Sequence, residues 1–302
     1  TELPEFFPLL ERVHTGCPGC ASEDVESEFI KLGFIYKWCK DCFSLYVSPR
    51  PSEDAVNVFY RESRAMRFYG DTIFKGTLQS RHQHQIIPLA DWVKSSLPKR
   101  VKKNAKIFDF MPKFFSVWSE VLSSRSTSSV SVVDAVHLHK LPQNATVATL
   151  QKAKKQKYDF ITAFDVLEHR SSPNDTIKML SQLCEKDGLL FLTVNAGGFE
   201  YQVLSQDSHR LVPPNRLNLL TVESITHLLT KNNFELVNVT SSGKLDVDIV
   251  LKALADNQSK SVARFFSYLL QKRGPEVSDS LQSFLQEHNL SSFVRIVARK
   301  KK

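Results

Sequence analysis

The chain has 302 residues, of which 42% are hydrophobic and 24% charged, so it is long enough for about two globular domains. No apolar run reaches the roughly 20 residues that a membrane span requires, and the first residues, TELPEFFPLL, lack the basic and apolar regions of a signal peptide. The net charge of +8 is compatible with a polyanionic partner such as nucleic acid or a phosphorylated sugar. The basic residues are dispersed and are not interleaved with aromatic ones, which disfavours nucleic acid.

Four of the five cysteines form two CxxC pairs, Cys17-Pro-Gly-Cys20 and Cys39-Lys-Asp-Cys42, separated by 18 residues. This spacing is typical of a zinc site with four thiolate ligands. Short apolar runs at residues 29–31, 34–38 and 46–47 predict the strands of a zinc ribbon over residues 1–48. Because four thiolates complete the tetrahedron, we expect a structural zinc rather than a catalytic one. Thiols used in this way indicate a reducing compartment, so we expect a cytoplasmic protein.

Residues 49–104 are predicted to form a helical connector. Ser52 is placed to cap a helix that begins with two acidic residues, and a helical apolar period predicts a second helix over residues 76–96. His82 and His84 lie in this second helix. They are candidates for contact with a substrate, and the alternative is that they are ordinary surface histidines.

From residue 105 onward, predicted strands alternate with predicted helices, which favours a doubly wound, Rossmann-like parallel sheet for residues 105–302. Ligands of such sheets bind beyond the carboxyl ends of the strands. The candidate site residues there are Asp109, Asp134, Phe164, Asp165 and Asn195. Strands are predicted at residues 106–110, 130–134, 145–150, 158–164, 188–194, 234–239 and 293–298, and helices at 114–122, 173–185, 221–231, 249–255, 261–271 and 278–287.

The segment Tyr158-Asp-Phe-Ile-Thr-Ala-Phe-Asp-Val-Leu-Glu-His169, with the run DGLLFLT after the next helix, resembles strands four and five of class I S-adenosylmethionine-dependent methyltransferases. The four-cysteine ribbon, the VSPRPS segment at its exit and the stretch GKLDVDI at residues 243–249 are similar to those of zinc-ribbon methyltransferases tied to sugar and surface-glycan modification. The resemblance extends from about residue 17 to residue 249. It implies methyl transfer from S-adenosylmethionine to a sugar or another small molecule.

The resemblance also implies roles for single residues. Asp109 and Asp134 would bind the cofactor, Asp134 through the ribose hydroxyls, and the 25 residues between them are close to the roughly 20 expected for such an acid. Phe164 and Asp165 would flank the methionine part and the transferred methyl group.

Glu168 and His169 are the nearest titratable candidates for a base that takes a proton from the acceptor. The alternative is that both only cap or pack the loop that follows.

Two stretches depart from the family. Its first loop has the form D-x-G-x-G-x-G, whose glycines let the backbone turn tightly near the cofactor, but residues 109–115 read DFMPKFF and contain no glycine. Downstream, residues 213–218 read PPNRLN where the family often has a histidine pair. Two hypotheses follow: an active methyltransferase with a remodelled loop, or a non-catalytic methyltransferase-fold scaffold that does not bind S-adenosylmethionine. In either case, the ribbon and the C-terminal helices are candidate surfaces for a protein partner.

Overall fold

The computed structural model describes residues 2–99, 101–122, 127–133, 136–140, 142, 144–241, 246–256 and 262–301, with only the backbone at 113–115 and 136–140. No helix in these ranges is both long enough and apolar enough to cross a membrane.

The N-terminal part is an antiparallel ribbon, as the cysteine spacing predicts. After the short helix α1 (Leu3–Phe6), the strands are β1 (Val25–Lys31), β2 (Phe34–Cys39) and β3 (Leu45–Val47). Buried side chains of β2 and β3 face a core that also contains Phe59 and residues of the larger domain. The ribbon therefore relies on the rest of the chain for much of its apolar packing.

The connector is almost entirely helical. Ser52 caps its first helix, since its hydroxyl accepts a hydrogen bond from Ala55 N. The predicted helix at 76–96 begins earlier, because the Ser63 hydroxyl caps a new helix by accepting from Met66 N. The connector comprises α2 (Glu53–Glu62), α3 (Arg64–Phe68), a π-helical turn (Tyr69–Phe74), α4 (Lys75–Arg81), a second π-helical turn (His82–Ile86) and α5 (Ile87–Ser96).

The larger domain is a seven-stranded sheet flanked by helices. Its order is β12-β13-β10-β9-β4-β6-β8, and β5 pairs separately with β7. The strands from β4 onward are β4 (Lys106–Phe110), β5 (Lys113–Phe115), β6 (Ser129–Val133), β7 (Val136–Lys140), β8 (Ala145–Val147), β9 (Tyr158–Phe164), β10 (Cys184–Asn195), β11 (Asn218–Leu219), β12 (Phe234–Ser241) and β13 (Phe293–Lys300). The helices are α6 (Trp118–Val121), α7 (Leu150–Ala153), α8 (Pro173–Leu183), α9 (Phe199–Leu204), α10 (Val222–Lys231), α11 (Asp246–Ala255), α12 (Arg264–Lys272) and α13 (Pro275–Glu287).

Two features differ from the predicted sheet. The last strand, β13, runs antiparallel to both of its neighbours, β10 and β12, whereas the strand–helix alternation predicts a fully parallel sheet. The predicted helix over 114–122 is instead β5 followed by the single turn α6, because the backbone of 113–115 pairs with β7. The remaining strand–helix alternation is confirmed.

The ribbon is bound to the larger domain through a shared sheet. β11 pairs antiparallel with β3, so that Tyr46 lies opposite Asn218 and Leu45 opposite Leu219. At the ribbon exit, the buried guanidinium of Arg50 donates to Ser171 O at 2.6 Å and to Val47 O. The VSPRPS segment and the loop after the DVLEH segment therefore lie in direct contact.

Candidate functional site

The four ribbon cysteines converge on one point. Cys17 Sγ lies 3.4 Å from Cys42 Sγ and Cys20 Sγ lies 3.5 Å from Cys39 Sγ, and all four sulfur atoms are within 4.8 Å of one another. Sulfur atoms about 2.3 Å from a tetrahedral zinc would be separated by about 3.8 Å. None of the four is in a disulfide. The donor set and its spacing therefore fit a zinc ion.

Both CxxC pairs close with the same local turn. Ala21 N donates to Cys17 O at 2.8 Å, and Phe43 N donates to Cys39 O at 3.1 Å. Ala21 and Phe43 follow the second cysteine of each pair, and both take the left-handed conformation, with φ of 66° and 56°. The two halves of the candidate zinc site are thus built alike, on adjoining turns.

The crevice of the larger domain lies where the strand order reverses, between β4 and β9. The first residue beyond each strand, Met111 or Asp165, is left-handed, with φ of 53° and 51°. Met111 N donates to Val133 O, and Asp165 N donates to Thr193 O, both at 2.8 Å. Each turn is therefore anchored to the outer neighbouring strand, away from the other turn.

Met111 occupies the position of the first glycine in the family's loop and keeps a conformation that glycine adopts readily. For a residue with a Cβ this conformation costs about 1–2 kcal/mol. The Met111 side chain packs against the core, and its sulfur lies 3.5 Å from Arg170 Nη1. Arg170 in turn forms a 2.8 Å ion pair with Glu53 of α2. Packing against the core and the connector thus supports a turn that the family makes with glycine.

Asp109 lies inside the sheet. Its Oδ2 accepts from Ser116 Oγ at 2.6 Å, and its Oδ1 accepts from Thr162 Oγ1 at 2.7 Å. Thr162 Oγ1 itself accepts from Trp118 Nε1 at 2.9 Å. Burial raises the pKa of Asp109 to about 6, although both hydroxyl donors oppose the shift. The buried carboxyl group therefore fixes Ser116, at the end of the loop after β4, against Thr162 of β9.

Two other predicted cofactor residues, Phe164 and Asp165, are at the end of β9. Phe164 is half-buried, with its ring centroid 6.3 Å from that of Trp92 on α5. The carboxylate of Asp165 is held by Thr193, whose Oγ1 donates to Oδ1 at 2.8 Å. Asp134 lies outside the described residues. The structure thus brings Phe164 and Asp165 to the tip of β9, with Met111 at the tip of the adjacent strand.

A buried polar network extends from Glu168. Its Oε1 accepts from Asn195 Nδ2 at 2.5 Å and from Asn195 N at 3.1 Å. Asn195 Oδ1 accepts from Arg210 Nη2 at 3.0 Å, and Arg210 Nη1 contacts the fully buried Glu200 at 2.7 Å. Burial lowers the pKa of Arg216, but the interactions with Glu168, Tyr201 and Asp165 together raise it above its ordinary value. Glu168 is therefore linked to Arg210 through Asn195 and interacts electrostatically with Arg216.

His169 lies in a separate contact on the connector side. Its Nδ1 is 3.1 Å from Tyr60 Oη, and the same hydroxyl donates to Asn215 Oδ1. His169 is 6% exposed, and burial raises the pKa of Tyr60. Tyr60 and Asn215 join the site from α2 and from the PPNRLN stretch, at positions that sequence reasoning missed. Tyr60 lies on an amphipathic helix, and nothing in the local sequence distinguishes it from an aromatic residue that only packs.

His82 and His84 lie in the second π-helical turn of the connector. His82 Nε2 lies 3.1 Å from Glu120 Oε1, and His84 is exposed on the connector. Of the sequence-predicted residues, Phe164 and Asp165 lie at the end of β9, and Glu168 and His169 lie in the helical turn that follows. Asn195 contacts Glu168. Asp109 is buried in β4.

The methyltransferase-domain family model matches residues 88–239, just over half of the chain. No curated protein sequence matches. Among solved structures, a provisionally named sarcosine dimethylglycine methyltransferase from Galdieria sulphuraria is 14% identical (TM-score 0.47, covering 71% of this chain and 85% of that one). The Haemonchus contortus phosphoethanolamine N-methyltransferase 2 complex with S-adenosylhomocysteine is 13% identical (TM-score 0.48, 92% and 71%). A Mycobacterium tuberculosis cyclopropane synthase is 14% identical (TM-score 0.42, 71% and 84%).

The matched segment runs from α5 through β12 and contains both strand tips of the crevice. The chain therefore belongs to the methyltransferase-domain family and is a class I S-adenosylmethionine-dependent methyltransferase in fold and family.

Proposed function

We propose that the protein catalyses methyl transfer from S-adenosylmethionine to a sugar or another small molecule of surface-glycan metabolism, with a structural zinc in its ribbon. The observation that carries this proposal is the pair of outward-anchored turns at Met111 and Asp165. Each turn is anchored away from the other although the loop has no glycine, which supports a cofactor site between the two strand tips. For the same reason, the non-catalytic scaffold is the less favoured alternative.

We assign each residue at the crevice a role in holding the cofactor. When bound, S-adenosylmethionine supplies an electrophilic methyl group on a positively charged sulfur. Asp165, whose carboxylate Thr193 orients, and the half-buried ring of Phe164 would line the methionine side. Asp134 remains the proposed ligand of the ribose. Asp109 would contribute indirectly, because its carboxyl group holds Ser116 at the end of the loop.

On the acceptor side, His169 is the better candidate for the base and Glu168 for a positioning residue. Glu168 accepts two hydrogen bonds from Asn195 and is fully buried, which suits a side chain that orients its neighbours. His169 is oriented through Nδ1 by Tyr60, as a catalytic imidazole commonly is. This arrangement would let His169 take a proton from an acceptor hydroxyl.

The support for a sugar acceptor is the resemblance of the ribbon, its exit and the GKLDVDI stretch to sugar-modifying methyltransferases, together with the net charge of +8, which suits a phosphorylated sugar. A protein partner is also proposed. The exposed aromatic residues of α12, Phe265 at 64% and Tyr268 at 52%, support a contact surface there.

A methyl-transfer assay tests this function. Zinc-loaded protein is incubated with S-adenosylmethionine labelled in the methyl group and with a panel of nucleotide sugars and neutral sugars. We expect label in at least one sugar. His169→Gln should lower kcat without changing the KM for S-adenosylmethionine, whereas the exposed control His14→Gln should match the wild type. Cofactor binding with no transfer to any sugar would refute the acceptor class, and equal kcat in the two variants would refute the role of His169.

A further inference from the structure

A cavity of about 650 Å³ lies between the ribbon and the larger domain. This volume is within the range of small-molecule sites. Among the described residues, its lining includes none from the crevice segments 109–117 and 164–169. The lining comes from both CxxC turns, the loop after β10, the first turn of α10 and the segment between α13 and β13.

The walls are held together by hydrogen bonds across these elements. Gln202 Nε2 donates to Phe43 O at 3.1 Å and to Gly197 O at 2.9 Å. The Thr221 hydroxyl donates to Cys42 O at 3.1 Å, which fixes the start of α10 against the ribbon. Because these bonds join separate parts of the chain, the cavity is formed before any ligand arrives.

The cavity is lined by carboxylates, whereas the protein as a whole has a net charge of +8. None of the lysine and arginine residues that the structure describes lines the cavity, and His227 is the one basic side chain of the described lining. Two carboxylates, Asp41 and Glu223, do line it, and both are exposed and form no ion pair with a described residue. The sulfur ligands Cys20 and Cys42 lie on the same wall. Anionic ligands such as sugar phosphates are therefore disfavoured here.

The rest of the wall is largely apolar and partly aromatic. Phe43 is 54% exposed and Leu290 is 43% exposed, and both line the cavity with Val222 and Leu285. An exposed aromatic ring beside free carboxylates is the arrangement that binds an organic ammonium, through cation–π and charge contacts. The apolar surface would bind the body of the same ligand.

We propose that this cavity is a binding site for a small organic amine with an apolar body, separate from the methyl-transfer crevice. The ammonium group would lie near Asp41, Glu223 and the Phe43 ring, and the apolar body would pack on Val222, Leu285 and Leu290. This site goes beyond the proposed function, since it requires neither cofactor nor acceptor at the crevice.

The test compares two probes of similar shape and opposite charge, 1-naphthylmethylamine and 1-naphthoate, by calorimetric titration into the zinc-loaded full chain. We expect the amine to bind at least about tenfold more tightly than the carboxylate. The double variant Asp41→Asn/Glu223→Gln should weaken amine binding by about tenfold, because two charge contacts are lost. The exposed control Glu26→Gln, which lies outside the lining, should bind as the wild type does.

Equal binding of both probes, no amine binding, or unchanged affinity in the double variant would overturn the proposal. Binding of S-adenosylhomocysteine is measured on the same samples. If that binding is absent while the amine still binds, the function at the crevice fails and the second site stands. If the cofactor binds and the amine does not, the second site fails and the function at the crevice stands.

Discussion

Replacing Asp109 by asparagine removes a buried charge while keeping the shape of the side chain. The ionised carboxylate is costly in its present position, because burial raises its pKa from an ordinary value of 3.8 to about 6. Because a shift of one pKa unit corresponds to about 1.36 kcal/mol, the ionised form costs about 3 kcal/mol in the folded protein. An amide avoids this cost. Its oxygen can still accept from Thr162, and its nitrogen can donate to Ser116 if that hydroxyl turns, which costs about 1 kcal/mol.

We therefore expect Asp109→Asn to be about 2 kcal/mol more stable than the wild type at pH 7.5. The pH dependence has a definite sign. Between pH 3.8 and 6 the folded wild type binds more protons at this site than the unfolded chain does, so its stability falls as the pH rises and then stays level. The gain of the variant should thus disappear as the pH falls towards 4.

Urea denaturation followed by tryptophan fluorescence at pH 4.5 and pH 7.5 measures both effects. Asp109→Ala is the matched control. It leaves Ser116 and Thr162 without their acceptor and should be less stable than the wild type by about 2–4 kcal/mol at pH 4.5. At pH 7.5 this loss should be smaller by about 2 kcal/mol, because the wild type then carries the buried charge and the alanine variant does not. If Asp109→Asn is less stable than the wild type at pH 7.5, then the charge stabilises the fold and the reasoning is refuted. Loss of S-adenosylhomocysteine binding in a stable Asp109→Asn protein would show that the carboxylate contacts the cofactor.

Three further outcomes are expected. Cys39→Ser should lose its zinc and its cooperative thermal transition. Cys184→Ser, whose thiol is buried away from the ribbon, should keep one zinc per chain by elemental analysis. Zinc retained in Cys39→Ser would refute the site. Met111→Gly should change the free energy of unfolding by less than about 1 kcal/mol, because relief of the strain in the left-handed turn offsets the lost side-chain packing. The variant should bind S-adenosylhomocysteine more tightly than the wild type. Weaker binding would contradict the role of the turn. Arg210→Ala should lower the free energy of unfolding, measured in urea, by about 3 kcal/mol, because Glu200 is left buried without its ion pair. A decrease of less than about 1 kcal/mol would contradict the network.

The parts of the fold that follow from local chemistry could be predicted from the sequence. The spacing of the two CxxC pairs predicts a shared metal site, and the four sulfur atoms do converge. The apolar runs at 106–110 and 158–164 predict buried parallel strands, and these two strands are adjacent. Ser52 and Ser172 mark the starts of helices, because both hydroxyls accept from the first turn.

The parts that depend on pairing between distant segments could not be predicted. The residues 113–115 resemble the start of a helix, but their backbone pairs with β7. The two-residue strand β11 has no pattern of its own and forms only because β3 offers it an edge. The direction of β13 is equally unreadable, because an apolar run is the same in either orientation.

At the site, the order of residues along β9 predicted which side chains share an edge, but not what each one contacts. Asp109 ends a strand as a ligand-binding acid would, yet Ser116 and Thr162 occupy both of its oxygen atoms. Tyr60 comes from a helix more than a hundred residues away from His169. Contacts of this kind follow from how the connector packs on the larger domain, which no local pattern encodes.

If the turns at Met111 and Asp165 preserve a cofactor crevice without loop glycines, the protein should bind S-adenosylhomocysteine. Calorimetric titration of the zinc-loaded protein with S-adenosylhomocysteine tests it most directly. We predict saturable binding at one site per chain with a Kd on the order of micromolar, which corresponds to about −8 kcal/mol. The absence of binding up to about 1 mM in a folded, zinc-loaded sample would contradict the claim.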